Sequence, residues 1–544
     1  MTSEQGEKKA EIDHVEDSEA NFNNSGIANA FREEGIAELQ LEDVLPKLEK
    51  PWYKYSYLLK LNFLLVFSMM SSTNTGFDGS MLNGLQSIPS WSPYFGGLSG
   101  WRLGIISCAG GFGGIVGSLV GNYLADKIGR RYPTVIGCIF VIIGVIVQAS
   151  AQNYAAFFIG RFIMGFGMVL CNVVGPLAIS ELAYPTHRPI LTSCFNILFY
   201  AGSTLASLAT LGCYHIPGLS NWSWRGPSLL QCFFPILQLM MFWWVPESPR
   251  FLISKGRFEE ARDVLGEFHA GGDRNARLVE FEMAQITIAL DNERALQSVS
   301  FKEFFATRQN LHRLFVISFL ACMQQLSGNA LVSYYLVLVL ESIGITSANQ
   351  QLTINVGLNV YNLGVAILIL FLIERFRRRQ MFMACTIGML LTYVIWTVLS
   401  AINQKRNFED KSLGKGVLAM IFLYFFAYDL GLLGLPYLYY TEVLPYFLRS
   451  KGMFIVQCWQ QLIGVFNGLV NSIAMDAIEW KYYIVYCCII GVEVFVVYLF
   501  FPETKGYTLE TAAEAFGDTV VTEKDHPKAV RASDDADDAS EVSA

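Results

Sequence analysis

Residues 324–335 read Gln-Gln-Leu-Ser-Gly-Asn-Ala-Leu-Val-Ser-Tyr-Tyr inside an otherwise apolar run, 314–340. In hydrocarbon an unpartnered polar group costs several kcal/mol, so such side chains face a bundle interior or a water-filled cavity. Gln325, Asn329 and Ser333 stand at i, i+4 and i+8, which predicts one shared helix face, with Gly328 loosening the helix between them. That face needs something to bind. Asp78 and Arg161 are charges at membrane depth, each costing roughly 2.5–3.5 kcal/mol on insertion scales, so they should pair.

The elements that must carry these residues follow from composition. With 53% hydrophobic and only 16% charged residues, the 544-residue chain is too apolar for a soluble globular protein. Stretches long enough to cross a bilayer recur near 61–77, 103–125, 133–151, 157–180, 190–214, 227–246, 314–340, 350–373, 380–403, 416–440, 452–475 and 482–501, which makes twelve. We read 57–246 and 313–502 as two six-helix bundles, 247–312 as a helical linker, and 1–56 and 503–544 as tails. No basic segment with a cleavage site precedes the first span, so no removable signal peptide is expected.

The halves repeat. At an offset of about 250 residues, Asp126-Lys-Ile-Gly-Arg-Arg131 returns as Glu374-Arg-Phe-Arg-Arg-Arg379, Glu181 with Arg188 returns as Glu442 with Arg449, and Pro246-Glu247 returns as Pro502-Glu503. The linker has helical patterning at 258–268 and 279–290. Five glycines of the second span, Gly110, Gly113, Gly114, Gly117 and Gly121, read as a close-packing face rather than chemistry. Further polar stripes run through Asn196, Tyr200, Ser203 and Ser207, through Asn355, Asn359 and Asn362, and through Gln457, Gln460 or Gln461, Gly464, Asn467 and Asn471. Any one amide reads equally as interhelical glue; several spans with such stripes favour a central cavity.

Short loops rich in Lys and Arg (Lys127, Arg130, Arg131; Arg188; Arg375, Arg377, Arg378, Arg379; Arg449, Lys451) lie on one side, which the positive-inside rule makes cytoplasmic, with both termini there. Lys405, Arg406, Lys411 and Lys415 break the pattern. Asn221-Trp-Ser is a glycosylation sequon on the opposite side. The net charge of −8 is concentrated in the polar stretches 4–43 and 518–541, and says little about nucleic acid. Eleven cysteines, mostly inside spans, form no metal-ligand spacing and read as reduced packing residues. No nucleophile elbow or phosphate loop supports an enzyme, and neither cofactor nor metal is expected.

Gly76-Phe-Asp78, Asp126 to Arg131, Gly160-Arg161 with Gly165 and Gly167, Pro246-Glu-Ser-Pro-Arg250, Gln324-Gln325, Pro436 through Glu442 to Arg449, and Pro502-Glu-Thr-Lys-Gly506 stand in one order. In this the chain resembles the sugar porter family of the major facilitator superfamily. Through Asn221-Trp-Ser-Trp-Arg225, Pro249-Arg-Phe-Leu-Ile-Ser-Lys255 and 328–335 it most resembles the fungal lactose permease and cellodextrin transporter branch. The resemblance implies an all-α fold of twelve transmembrane helices in two pseudo-symmetric halves, a monomer, and a plasma-membrane location.

Departures from the hexose porter pattern point to a different or larger sugar. Asn329 directly follows Gly328 and Ala330 takes the usual Asn place; Asn196 stands where a sugar-binding Gln is usual, Tyr437 where Trp is, and Arg377 where the second loop motif has Gly.

A sugar needs fixed donors and acceptors for its hydroxyls and an apolar surface for its C–H face. Gln324, Gln325, Asn329, Asn355, Asn196, Tyr437 and Gln460 are the expected polar set, with Tyr334, Tyr335 and Phe199 as ring surfaces. By resemblance, Asp78 and Arg161 couple proton binding to sugar binding. Asp429 is a second proton-site candidate, while Glu493 is a buried-looking acid that reads as facing another helix. Likewise Arg130, Glu181, Arg188, Glu247, Arg250, Glu374, Arg378, Glu442, Arg449 and Glu503 form a cytoplasmic gate that clamps the halves when the cavity faces outward. The expected function is a proton-coupled di- or oligosaccharide transporter. Alternatives are a hexose or pentose facilitator without coupling, and a sugar sensor, which the short C-terminal tail disfavours.

Overall fold

A computed structural model describes residues 44–46, 50–216, 220–296, 300–372, 375–406, 408 and 411–504. The polar stretches 4–43 and 518–541, and Glu374, lie outside them. The first half consists of α1 (Ser56–Gln86), α2 (Gly100–Ile128), α3 (Arg131–Ala149), α4 (Tyr154–Leu182), α5 (Arg188–Tyr214), α6 (Trp222–Leu230) and α7 (Phe233–Met241). The linker carries α8 (Pro249–Ser254), α9 (Phe258–His269) and α10 (Arg277–Leu296). The second half follows with α11 (Arg308–Leu326), α12 (Asn329–Glu341), α13 (Ala348–Leu372), α14 (Arg378–Lys405), α15 (Lys411–Leu432), α16 (Leu435–Val443), α17 (Tyr446–Ile478) and α18 (Tyr482–Phe500).

Three crossings are made of two helices each: α6 with α7, α11 with α12, and α15 with α16. Among the described residues, nine stretches meet a length and apolarity criterion for spanning, and the difference from twelve has physical causes. In α1 the buried polar run Ser71, Ser72, Thr73 and Asn74 lowers the hydropathy. The pair α6 and α7 is split into two short helices, and α17 and α18 fall within one stretch, Lys451–Phe500.

Outward faces are apolar, as hydrocarbon requires. Ile139, Ile143 and Ile146 on α3 and Leu391, Val394 and Val398 on α14 are exposed at helical spacing. Inside, α4 is the hub of the first half, packing on α2 and α3, while α1 packs on α5. In the second half α14 packs on α15 and α18 around an aromatic centre, where Tyr393 stacks on Trp396 at 4.8 Å and meets Tyr424 edge-on at 5.0 Å. The halves meet along α2 with α17 and α5 with α13. The linker docks on the first half, where His269 places Nε2 3.1 Å from the Leu182 carbonyl and Nδ1 2.6 Å from Glu282.

The α2–α4 crossing brings two backbones into close approach. A Cβ on Gly113 would lie 2.0 Å from the Phe162 carbonyl oxygen, and one on Gly165 2.1 Å from that of Gly110. Neither clash can be relieved by a side-chain rotation, so the helices themselves would have to separate. Gly165→Ala is therefore expected to destabilise by about 1–3 kcal/mol, the range for overpacking. A lowered midpoint in thermal unfolding of the purified protein would show it; an unchanged midpoint would mean that the crossing is loose.

Candidate functional site

Asp78 of α1 and Arg161 of α4 form a two-pronged ion pair. Both guanidinium Nη groups donate to the carboxylate, Nη1 to Oδ1 and Nη2 to Oδ2, each at 3.1 Å. Arg161 is 2% exposed, a burial tolerable for a guanidinium only with such a partner. A third residue joins them from the break between α6 and α7: Gln231 donates through Nε2 to Asp78 Oδ1 at 3.2 Å. Sequence reasoning missed Gln231, whose only signal was that it is one of two amides, with Gln238, in the apolar run 227–246. Its Oε1 and Arg161 Nε are buried without a partner.

Facing this pair, the second half presents its amides. Gln324 Oε1 accepts from Gln460 Nε2 at 2.8 Å and from Tyr440 Oη at 2.9 Å, and Gln324 Nε2 donates to the Leu432 carbonyl at 3.4 Å. Tyr437 reaches Gln460, so α11, α16 and α17 meet in one polar cluster. Gln325 points at Gly464 of α17. On α13, Asn359 Nδ2 donates to the Asn355 carbonyl at 2.8 Å and to Ser80 Oγ of α1 at 3.0 Å. Asn355 Nδ2 and Asn362 Oδ1 are buried and unpaired. Asn196 is half-buried on α5. Tyr334 is 38% exposed although its ring lies against Gly79 and within electrostatic reach of Asp78 and Arg161; Tyr437 is 42% exposed. Interior tyrosines open to solvent mark a cavity between the halves.

Some expected residues fall elsewhere. The face through Gln325, Asn329 and Ser333 is not one helix: Gly328 adopts φ +97° and separates α11 from α12. A Cβ there would lie 2.2 Å from Tyr393 Oη, so only glycine fits. Asn329 accepts from Ser333 Oγ at 2.9 Å and lies within reach of Tyr428. Tyr335 sits at a second kink, φ −134° and ψ 30°, is 0% exposed, and donates to the Gly468 carbonyl at 2.7 Å, so its ring is core rather than cavity surface. Asn467 and Asn471 serve as glue, each accepting from Tyr486.

Hydrogen bonds across the halves gather on the side opposite the linker. Asn83 accepts from Leu336 N at 3.1 Å, Gln86 donates to the Tyr334 carbonyl at 2.7 Å, and Ser472 donates to the Gly100 carbonyl at 2.7 Å. At mid-depth Tyr200 donates to Asp429 Oδ1 at 2.7 Å, tying α5 to α15, while Asp429 Oδ2 is buried and unpaired.

On the linker side the sequence repeat becomes a repeat of bonds. Arg130 grips Glu181 through Nε and Nη2, both at 2.9 Å, and Ser248 donates to Glu181; Arg378 grips Glu442 at 3.3 Å, and Thr504 donates to Glu442. Glu247 accepts from the N–H of Arg130 (2.8 Å) and of Arg131 (3.4 Å) at the start of α3. Glu503 does the same for Arg378 (2.9 Å) and Arg379 (3.2 Å) at the start of α14. These pairs lie within each half.

Arg377 does not disturb its motif. Gly129, its counterpart, needs glycine, with φ +94° and a Cβ position 2.4 Å from Glu247; Arg377 has an ordinary extended backbone, φ −74°. Arg188 donates to the Ala183 carbonyl at 3.5 Å; Arg250 and Arg449 also have partners. Burial pushes the Glu247 carboxyl above its ordinary value, against the opposing pull of the backbone N–H groups it accepts from.

Two broken-helix halves around a polar cavity, joined by a linker, define a major facilitator superfamily transporter. The model of the family described as "Sugar (and other) transporter" matches residues 63–516, and the chain belongs to that family; it is a transporter, not an enzyme. Among similar proteins is the low-affinity glucose transporter HXT4 of Saccharomyces cerevisiae, 28% identical over 76% of this chain and 72% of the other. Another is the MFS-type transporter oryC of Aspergillus oryzae, 28% identical over 74% of each. The inward-open xylose transporter XylE of E. coli shares the fold, with a TM-score of 0.69 and 20% identity over 84% of this chain and 99% of the other.

Asp78→Asn is expected to cost about 3–5 kcal/mol, because Arg161 keeps its buried charge and loses its carboxylate. The measurement is thermal unfolding in lipid nanodiscs, where Gln231→Leu should cost less, its amide holding only one edge of the pair. For Glu247 the folded-state pKa lies above the unfolded one, so ionisation penalises the fold above the folded pKa and the penalty fades as pH falls through it. The stability of wild type relative to Glu247→Gln should therefore rise on acidification; a flat difference would contradict the burial of that carboxylate.

Proposed function

We propose that the chain is a proton-coupled sugar transporter working by alternating access, with a di- or oligosaccharide as cargo. The observation that carries the coupling is the Asp78–Arg161–Gln231 cluster, a titratable acid held by a buried guanidinium beside the cavity. Protonating Asp78 removes the charge that holds Arg161 and favours sugar binding from outside; deprotonation after inward opening restores the pair. Gln324, Gln325, Asn329, Asn355, Asn196, Gln460, Tyr437 and Tyr334 are the proposed sugar contacts, and the unpaired atoms of Asn355 and Asn362 are free valences for hydroxyl groups. The departures at Asn196, Ala330 and Tyr437 support a cargo other than a simple hexose.

Taking the basic linker side as cytoplasmic, the hydrogen bonds at the opposite ends close the outer mouth, and the structure is inward-facing. The separate Arg130–Glu181 and Arg378–Glu442 pairs then belong to a released gate, with Arg188, Arg250, Glu374 and Arg449 completing it in the outward state. The residues 57–246 and 313–502 move as the two bodies, as a monomer in the plasma membrane with both termini inside. The resemblance of the relatives to hexose carriers supports a second reading, a glucose or xylose carrier.

Uptake of labelled lactose, cellobiose, glucose and xylose by transporter-deficient yeast, with and without a protonophore, tests both. Accumulation of a disaccharide that both the protonophore and Asp78→Asn abolish is expected. Protonophore-insensitive equilibration of a monosaccharide would replace the coupled reading with the second.

A further inference from the structure

Glu493 lies midway along α18, is 2% exposed, and has no cation within ion-pair distance among the described residues. The sequence left it as an acid facing another helix. What it faces is Ser327, the last residue before Gly328 at the break between α11 and α12. Ser327 Oγ lies 3.0 Å from Glu493 Oε1, 2.9 Å from Oε2, and 2.5 Å from the carbonyl oxygen of Met323.

A hydroxyl carries one proton and a carbonyl none. At 2.5 Å from the Met323 oxygen, Ser327 must direct its proton there, because two bare acceptors repel at that distance. The lone pairs of Ser327 Oγ then face the carboxyl group, and that contact is attractive only when Glu493 supplies the proton. The surroundings demand the same state, since an ionised carboxylate at this depth would stand without a counter-charge.

The titratable groups in electrostatic reach are Cys322 on α11, Cys385 and Tyr393 on α14, and Tyr424 and Tyr428 on α15. These are thiols and phenols, none of which can carry positive charge. Among the described residues of α17, the amide oxygens of Asn467 and Asn471 accept from Tyr486 and Tyr482 on α18 itself.

We propose that Glu493 is a standing proton-binding site of the second half, a neutral carboxylic acid whose O–H donates to Ser327 Oγ and so latches the break between α11 and α12. Two more groups hold the same break: Tyr424 donates to the Ser327 carbonyl at 2.9 Å and Tyr393 to that of Gly328 at 3.3 Å. Loss of the Glu493 proton turns the acid into an acceptor that competes with Met323 for the single Ser327 proton, so one of the two bonds at the break is given up. Gln324, Gln325 and Asn329 are within three residues of Ser327 on either side, so the proton on Glu493 positions the amides without touching whatever they bind. This proton is distinct from that on Asp78, which lies in the other half, and the inference does not depend on the cargo.

The test uses the full chain in nanodiscs. Infrared difference spectra between wild type and Glu493→Gln, at neutral pH, should show the carbonyl stretch of one protonated carboxyl group, which disappears from wild type on alkalinisation. In parallel, the thermal midpoint of wild type should fall as pH rises, since deprotonation removes the O–H that donates to Ser327 and leaves a buried charge without a partner. Glu493→Gln, whose amide can still donate to Ser327, should match wild type at neutral pH and show a shallower alkaline slope. Absence of the carboxyl band, or a slope in Glu493→Gln as steep as in wild type, overturns the proposal. If Glu493→Gln does not reach the membrane, Ser327→Ala reads the same bond: the band should move to higher frequency as the carboxyl loses its acceptor, and an unmoved band overturns it.

Discussion

Hydrocarbon offers no hydrogen-bond partner, so every polar atom carried into it must be matched inside the protein. The interior of this transporter is arranged around that constraint. Arg161 is buried because Asp78 and Gln231 surround it. Asn467 and Asn471 are buried because tyrosines of α18 reach them. Matching is incomplete at Asn355, Asn362 and Asp429, on helices that face the other half, and also at Gln231 and Arg161.

The same constraint explains where helices break. A broken helix exposes backbone groups that neighbouring side chains must satisfy, and two of the breaks here have such attendants: Tyr393 and Tyr424 at Ser327 and Gly328, and Gln324 at the Leu432 carbonyl where α15 ends. These attendants link the fold to function. They place irregular backbone inside the bundle rather than against lipid.

Symmetry supplies the moving parts. Glu247 and Glu503 close the starts of α3 and α14 in the same way, and Glu181 and Glu442 hold equivalent arginines. Each half is thereby braced internally on the linker side, while the opposite ends are joined by Asn83, Gln86 and Ser472. Pseudo-symmetric halves of this kind are the architecture that transporters built from repeats share.

The amino-acid sequence by itself determined the class of fold, because spanning length and apolarity are properties of a single helix. It determined the repeat and the pairing of Asp78 with Arg161, because lone charges at membrane depth have few solutions. It could not determine which polar residues face the cavity. Tyr335 and Tyr334 are neighbours of identical type, yet a kink sends one into the core and leaves the other open to solvent. Nor could it show Gln231 on Asp78, or Glu493 on Ser327, since those contacts join residues 153 and 166 positions apart. Local composition sets what a helix needs; only the packing of helices against one another decides which neighbour answers it.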